Sequence, residues 1–333
     1  ARTNLCLRSQ EFDNASWTKA NCTISADAAV APDGTTTADK LVTNNAATFG
    51  RPQQVITTSA ATAYTLSCYA KAGGWSFLRF RFAEDTAPNC FFNLATGAVG
   101  TKDAGWTSAS MQALGNGWYR CIATYTTIGT SYTHRIIAEN ADNTSSTGDG
   151  TSGIYIWGAQ LEAASFPSSY IPTTTASATR AADVLTVPVS VASPLTGFAE
   201  FAYADGVTSE SAVASQYALV LGSADNSNRL ILYNPSSANG QIVQVSAATQ
   251  SQIGVAGLVL SGVTQKVASA VATNDFRFAS NGTLATPDTS GTALSDIVTA
   301  RFGSIAGSNA LFGYIRRAAI WNRALSDSEL QSV

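Results

Sequence analysis

The stretch AYTLSCYAKAGGWSFLRFRF, residues 63–82, decides the fold. In its first part Tyr64, Leu66, Cys68 and Ala70 alternate with Thr65, Ser67, Tyr69 and Lys71. In its second part Leu78, Phe80 and Phe82 alternate with Phe77, Arg79 and Arg81. Successive side chains of a strand point to opposite faces, so a period of two marks a half-buried strand, whereas a helix repeats every 3.6 residues. The same alternation runs through WYRCIATYTT (118–127), HRIIAE (134–139), IYIWGAQLE (154–162), GFAEFAY (197–203), RLILYN (229–234), DFRFASNGTL (275–284) and LFGYIRRAAIW (311–321). Gly, Asn and Asp punctuate these runs, and Asn281-Gly282 is a type I′ hairpin signal. Short strands every 8 to 12 residues or so predict an all-β chain of antiparallel sandwiches. The C-terminus differs: Ser326 and Glu329 form a capping box that predicts a short helix before Val333.

A chain of 333 residues, 45% of them hydrophobic, is long enough for two cores at about 150 residues each. All five cysteines and Trp17, Trp75, Trp106, Trp118 and Trp157 precede residue 160, leaving Trp321 alone beyond it. Between the two compositions lies FPSSYIPTTTASATRAAD (166–183), whose prolines and Thr/Ala/Ser run favour extended backbone. The expected domains are 1–178 and 179–333, with no internal repeat. The longest apolar run, from Ile253 to Val263, is far shorter than the roughly 18 residues that span a bilayer, so no membrane insertion is expected. The sequence opens on Ala1 and its single Met is Met111, so it is expected to be part of a longer product.

Charge narrows the function classes. Charged residues make up 12% of the chain, against roughly 25% in an ordinary soluble domain, and His134 is the only histidine. Chemistry built on a histidine base, a histidine-rich metal site or a Cys–His pair has one imidazole to draw on. A net charge of -3 lacks the basic stripe that a nucleic-acid partner requires. Glu84, Asp85, Glu139, Glu162, Glu200 and Glu210 show no spacing that pairs two carboxylates across a glycosidic bond, and no nucleophile elbow, phosphate loop or zinc-protease motif occurs. The expectation is a protein that is not an enzyme, with a depolymerase of dispersed carboxylates as an alternative. Cys6, Cys22, Cys68, Cys90 and Cys121 are odd in number and lack C-x-x-C spacing, so they read as buried hydrophobes of a protein folded in a reducing bacterial cytoplasm.

Several strings carry a family likeness. EFDNASWTK (11–19), APDGTTTADKLV (31–42), YTLSCYAKAG (64–73), GNGWYRC (115–121) and GDGTSGIYIWGAQLEAASFPSSYIPTTTASATRAAD (148–183) resemble a module of bacteriophage tail fibres that is similar to carbohydrate-binding jelly rolls. VASAVATNDFRFASNGTL (267–284) and GYIRRAAIWNRALSDSELQSV (313–333) resemble a concanavalin- or laminin-G-like sandwich from the same setting. The resemblance implies a receptor-binding tail fibre protein of the virion: a non-enzymatic, trimeric adhesin for host surface polysaccharide, either capsule or lipopolysaccharide. Its other partners are then further phage tail proteins. The competing reading is a connector fibre that binds no glycan. Jelly rolls of this kind often hold calcium, for which Asp33, Asp39, Asp142, Asn143 and Asp149 are the oxygen-rich candidates. Asp-Gly turns account for both segments, so no metal and no cofactor is expected.

Glycan sites on sandwiches stack aromatic rings on sugars and fix hydroxyls with polar side chains. The face of residues 75–82 opposite Leu78, Phe80 and Phe82 is expected to carry Trp75, Phe77, Arg79 and Arg81, where arginine suits an acidic sugar. Trp118 and Arg120 share a parity on one neighbouring run, and His134 lies on another. Should those strands pair, Trp75, Arg79, Arg81, Arg120 and His134 gather on one sheet. Trp106, in the turn-like KDAGWTS (102–108), is a further candidate as a loop aromatic. The competing reading is a solvated sheet face or a protomer interface. Trp157 shares its parity with Tyr155, Ala159 and Leu161 and is expected in a core strand.

Overall fold

The computed structural model describes residues 2–84, 88–181, 185–203, 216–224, 227–234, 240–246, 251–256, 263–304, 311 and 313–333, and at 203, 234, 240–246 and 251–256 the backbone alone. The chain forms two compact units, Ala1–Ala181 and Ala182–Val333. The first ends beyond residue 178 because Ala178–Arg180 pairs with Arg2–Asn4 near the opposite terminus.

In the first unit the strands are β1 (Arg2–Asn4), β2 (Thr18–Ala20), β3 (Cys22–Ala29), β4 (Ala38–Thr43), β5 (Arg51–Thr57), β6 (Ala63–Gly73), β7 (Phe77–Phe82), β8 (Asn89–Asn93), β9 (Ala98–Lys102), β10 (Ser108–Gly115), β11 (Trp118–Thr126), β12 (Ser131–Glu139), β13 (Gly153–Glu162) and β14 (Ala178–Arg180). They build one antiparallel sheet in the order β10-β11-β6-β13-β4-β3 and another in the order β2-β5-β12-β7-β8-β9. Residues 63–82 therefore split between the layers: β6 belongs to the first sheet and β7 to the second. Leu66, Cys68, Cys121, Ala123, Ile154 and Ile156 of the first sheet share one core with Leu78, Phe80, Phe82, Phe92, Ile136 and Ala138 of the second. All five cysteines are buried free thiols.

Parity fails at one place. On β13, Ile154 and Ile156 face the core, as do Ala159 and Leu161, whereas Tyr155 and Trp157 pack on the sheet's other side. A bulge between Trp157 and Gln160 inserts the extra residue, and Gly158 takes it up at φ +63. A Cβ there would meet the Tyr69 ring at 2.9 Å, so only glycine fits.

The second unit contains β15 (Leu185–Val191), β16 (Leu195–Tyr203), β17 (Gln216–Gly222), β18 (Arg229–Asn234), β19 (Gly240–Ser246), β20 (Ser251–Ala256), β21 (Thr264–Ala272), β22 (Asp275–Ser280), β23 (Thr283–Leu284), β24 (Ile297–Phe302) and β25 (Gly313–Trp321). These form antiparallel sheets in the orders β15-β24-β17-β18-β19-β20 and β23-β22-β21-β16-β25. The chain is thus all-β, two antiparallel sandwiches in sequence. Asn281 and Gly282 make the two-residue turn between β22 and β23 at φ 47 and 77, the left-handed geometry that the Asn-Gly pair predicts. Helix α1 (Asp327–Ser332) begins with the capping box on Ser326 and Glu329, and Leu325 and Leu330 seat it against Phe198, Ala268 and Ala279. Among the described residues no helix is long and apolar enough to cross a membrane. Of the apolar run 253–263, residues 257–262 lie outside the described ones.

Candidate functional site

The first unit has two outer sheet faces, and both contain aromatic rings and arginine. The strand register sorts the expected candidates between them.

On β7 the residues facing away from the core are Phe77, Arg79 and Arg81. Opposite them on β12 stand Glu139, Ile137 and Arg135, with Asn93, Phe91 and Asn89 on β8. On the far side of β12, Arg135 faces Gln53 of β5, and Arg51 follows two residues away on the same face. Four guanidinium groups therefore share one face: Arg51, Arg79, Arg81 and Arg135. Arg79 is 3% exposed and forms a 2.6 Å ion pair with the equally buried Glu139. Burial lowers the Arg79 pKa to about 10 and raises that of Glu139, while each charge holds the other ionised. Arg51 and Arg135 are half-buried, and their Nε atoms both donate to Gln53 Oε1, each at 3.0 Å. The two guanidinium groups thus lie side by side around one neutral acceptor. Burial and the surrounding arginines lower the pKa of both.

Two loops rim this face. Loop 44–50 carries Phe49, whose ring lies 4.3 Å from the Arg79 guanidinium carbon and 5.0 Å from that of Arg81. Phe49 holds φ at 58, a left-handed conformation uncommon for a bulky residue, and its carbonyl accepts from Arg51 Nη1 at 2.9 Å. Loop 140–152 is bound to the first loop through Ala46 N to Gly148 O and Gly148 N to Ala47 O. The same loop reaches the ion pair, since Ser146 N donates to Glu139 and Arg79 donates to Ser145 Oγ. The result is a half-buried platform of one aromatic ring, a row of guanidinium forks and the Gln53 amide.

The opposite outer face is closed. Tyr69, Trp157 and Tyr170 pack ring on ring, with centroids 4.7 to 6.0 Å apart. Trp118 Nε1 donates to Val30 O and Trp157 Nε1 to Thr37 Oγ1, so segment 30–37 takes up both indole donors. Arg120 lies against the Tyr69 ring and donates to Ser67 Oγ. Segment 163–171 straps the remainder: Thr65 and Thr124 hydroxyls donate to Ala164 O and Ser165 O, and Glu162 accepts from Ser168.

The expected single cluster is accordingly corrected. Phe77, Arg79 and Arg81 share a face, but Trp75 precedes the strand and turns into the core. Trp118 and Arg120 occupy the other sheet's outer face, because β11 pairs with β6 and β10 rather than with β7. His134 lies on the core side of β12 opposite Phe82, where it shares a 2.5 Å hydrogen bond with the Tyr125 hydroxyl. Trp106 is 1% exposed, packed on Phe82 and Tyr125, with its Nε1 donating to Pro88 O. A turn-like sequence hid a core tryptophan. The sequence reading missed Phe49, Arg51, Gln53, Arg135 and Glu139 as site residues. Parity offered Arg135 and Glu139, which alternate with His134 in 134–139, whereas Pro52 masked the strand that carries Arg51 and Gln53.

The oxygen-rich segments are used locally. Asp142 accepts from Thr101, Asp149 from Thr151 and Ser152, Asp33 from Thr35, and Asp39 from Phe12 and Asp27. Among the described residues no three metal-ligating side chains cluster. Of the carboxylates considered for glycosidic chemistry, Glu139 pairs Arg79, Glu84 accepts from Thr133, and Glu200 pairs Arg317, while Asp85 and Glu210 lie outside the described residues.

Fold and site together define an all-β protein with a charged, aromatic-rimmed platform on one sandwich. No family model matches the sequence, and no curated protein is similar to it in sequence. Solved structures with a likeness include the Ruminococcus gnavus IT-sialidase CBM40, a carbohydrate-binding module, at 19% identity over 41% of this chain and 80% of that one, with TM-score 0.33. Another is the mouse laminin alpha1 chain, domains LG4-5, at 11% identity over 86% of this chain and 88% of that one, with TM-score 0.31. A putative carbohydrate-binding protein of Bacteroides ovatus is similar at 11% identity over 86% of this chain and 80% of that one, with TM-score 0.26.

Proposed function

We propose that this chain is a non-enzymatic adhesin of a bacteriophage tail fibre, carried on the virion, that binds a host-surface polysaccharide through the outer face of its first sandwich. The observation that carries this reading is the platform itself. A ring at Phe49 offers stacking area, Arg51, Arg81 and Arg135 offer directed donors, and Gln53 supplies an amide, which is the mixture that sugar recognition uses. The non-catalytic part of the reading is supported by Glu139 and Glu162, each buried and held in hydrogen bonds from the loop or segment that follows its strand. Three copies around a fibre axis would turn modest affinity per site into tight attachment.

The test incubates the purified protein with bacterial surface polysaccharides and with cells bearing or lacking them, measuring binding and polymer size together. Binding that tracks the polysaccharide, with polymer size unchanged, is expected. A falling polymer size sinks the non-enzymatic reading, and equal binding to cells without the polysaccharide points to a connector. Sedimentation reads the oligomer, and a monomer at working concentration removes the trimer.

A further inference from the structure

The open face treats its arginines in two ways. Arg79 is buried and receives a carboxylate, Glu139. Arg51 and Arg135 are half-buried, and what they receive is a shared neutral oxygen of Gln53. Among the described residues neither touches a carboxylate, and Arg135 has no protein acceptor besides Gln53. Two cations held side by side repel each other, and Arg81, opposite Arg135 in the ladder, adds to that field. The Nε bonds tether both guanidinium groups to one acceptor, and with Arg51 Nη1 taken by the Phe49 carbonyl, Arg51 Nη2 and the terminal nitrogens of Arg135 remain as donors beside it. Such a pair of guanidinium groups matches an oxyanion in a bidentate manner.

Resting on the reading of this face as a glycan site, we infer that its ligand is an acidic glycan whose anionic substituent docks between Arg51 and Arg135, with the sugar ring against Phe49. Arg79 is a positioning residue: its pair with Glu139 anchors loop 140–152, and its guanidinium supports the Phe49 ring. The chain as a whole does not attract such polymers, because its net charge is -3. Affinity for a polyanion must therefore come from this local site rather than from general attraction. The shared chemistry is an oxyanion on a sugar, and either a carboxylate or a phosphate supplies it.

A panel of purified bacterial capsular polysaccharides, acidic and neutral, separates the possibilities by calorimetry. Every acidic polymer that binds is measured again after carbodiimide–borohydride reduction of its carboxyl groups and after hydrofluoric acid removal of its phosphates. The expected result is binding confined to acidic polymers, with a loss of about ten-fold or more after one of the two treatments, which names the source. Arg51→Gln and Arg135→Gln are each expected to lose about ten-fold at an unchanged melting temperature. If Arg135→Gln fails to fold, Arg51→Gln alone carries the test. Binding to neutral polymers, or binding indifferent to both treatments or to both substitutions, overturns the inference and leaves the glycan reading standing. Equal binding to dextran sulfate overturns it as adventitious attraction. Binding to no polymer in the panel overturns the glycan reading itself.

Discussion

The two outer faces of the first sandwich are made from the same kinds of residue and end in opposite states. On the face of β6, β11 and β13, three aromatic rings pack edge to face or tilted against one another, both tryptophan donors are used, and segments 30–37 and 163–171 lie across the surface. On the face of β5, β12 and β7, Arg79, Phe91, Ile137 and Glu139 are buried, while Arg51 and Arg135 stay half-buried and share a neutral amide. Aromatic and arginine content does not separate a structural layer from a recognition surface, because both serve either purpose. What separates them is where the donors go: the closed face spends them on Val30, Thr37 and Ser67 of its own layer, and on the open face Arg51 and Arg135 converge on one neutral oxygen.

The sharpest way to break this contrast is at the ion pair beneath the open face. Glu139→Ala leaves Arg79 buried without a counter-charge and is expected to cost about 4 kcal/mol in urea unfolding, within the range for breaking a buried pair from one side. A loss below about 1 kcal/mol would mean that water or a loop movement relieves Arg79. Replacing both partners, Arg79→Met with Glu139→Leu, is expected to recover most of the loss while weakening glycan binding, since the support under Phe49 goes with the guanidinium. On the closed face the expected signature is different. Trp157→Ala removes a ring packed against Tyr69 and Tyr170 and is expected to cost about 3 kcal/mol, with no effect on ligand affinity in the protein that remains folded. A selective loss of binding there would make the closed face the site.

How much of this was legible follows from what period-two alternation encodes. It assigns a residue to a side of its own strand and says nothing of which strand lies next to it. The all-β class, the faces of β7 and the capped C-terminal helix rest on local signals, and those were readable. The division of Arg79 and Arg120 between two sheets depends on β6 and β7 parting after Gly74, which only long-range pairing decides. Trp157 is buried in a core strand as expected, but the bulge at Gly158, invisible to a parity count, puts it on the opposite side from Ala159 and Leu161. Trp106 followed a Gly and looked like a loop residue, yet its side chain turns inward between Phe82 and Tyr125. Arg51 and Gln53 are hidden by Pro52, which β5 tolerates because the ladder with β12 stops at Gln53 and leaves Pro52 opposite Lys19 of β2 alone.

His134 gives a third expected effect and separates the core from both faces. Burial lowers its pKa to about 4 from an ordinary 6.5, so the folded state resists the proton that the unfolded chain accepts. Stability contributed by the neutral ring is complete above pH 6.5 and is lost as pH falls from there toward 4. Between pH 7 and pH 4.5 the wild type is expected to lose about 2.5 kcal/mol through this group. In His134→Gln, where no imidazole titrates, the difference between the two pH values is expected to shrink by that amount. An unchanged difference would show that the ring takes up a proton without unfolding, as an exposed face residue would.

The smallest expected effect bears most directly on the contrast between the faces. Among the described residues Arg51 bonds only Gln53 and the Phe49 carbonyl, and it stands beside Arg135 and Arg81, whose like charges oppose it. Arg51→Gln removes about as much repulsion as hydrogen bonding, so its stability is expected to stay within roughly 0.5 kcal/mol of wild type by urea unfolding. A structural arginine behaves like Arg79, where removing either charge strands the other. A loss for Arg51→Gln of more than about 1.5 kcal/mol would put it in that class and make the open face a second structural layer. Near-neutrality carries the opposite meaning: a half-buried cation that the fold does not need, kept next to other cations against their repulsion, is poised for an anion from outside the chain.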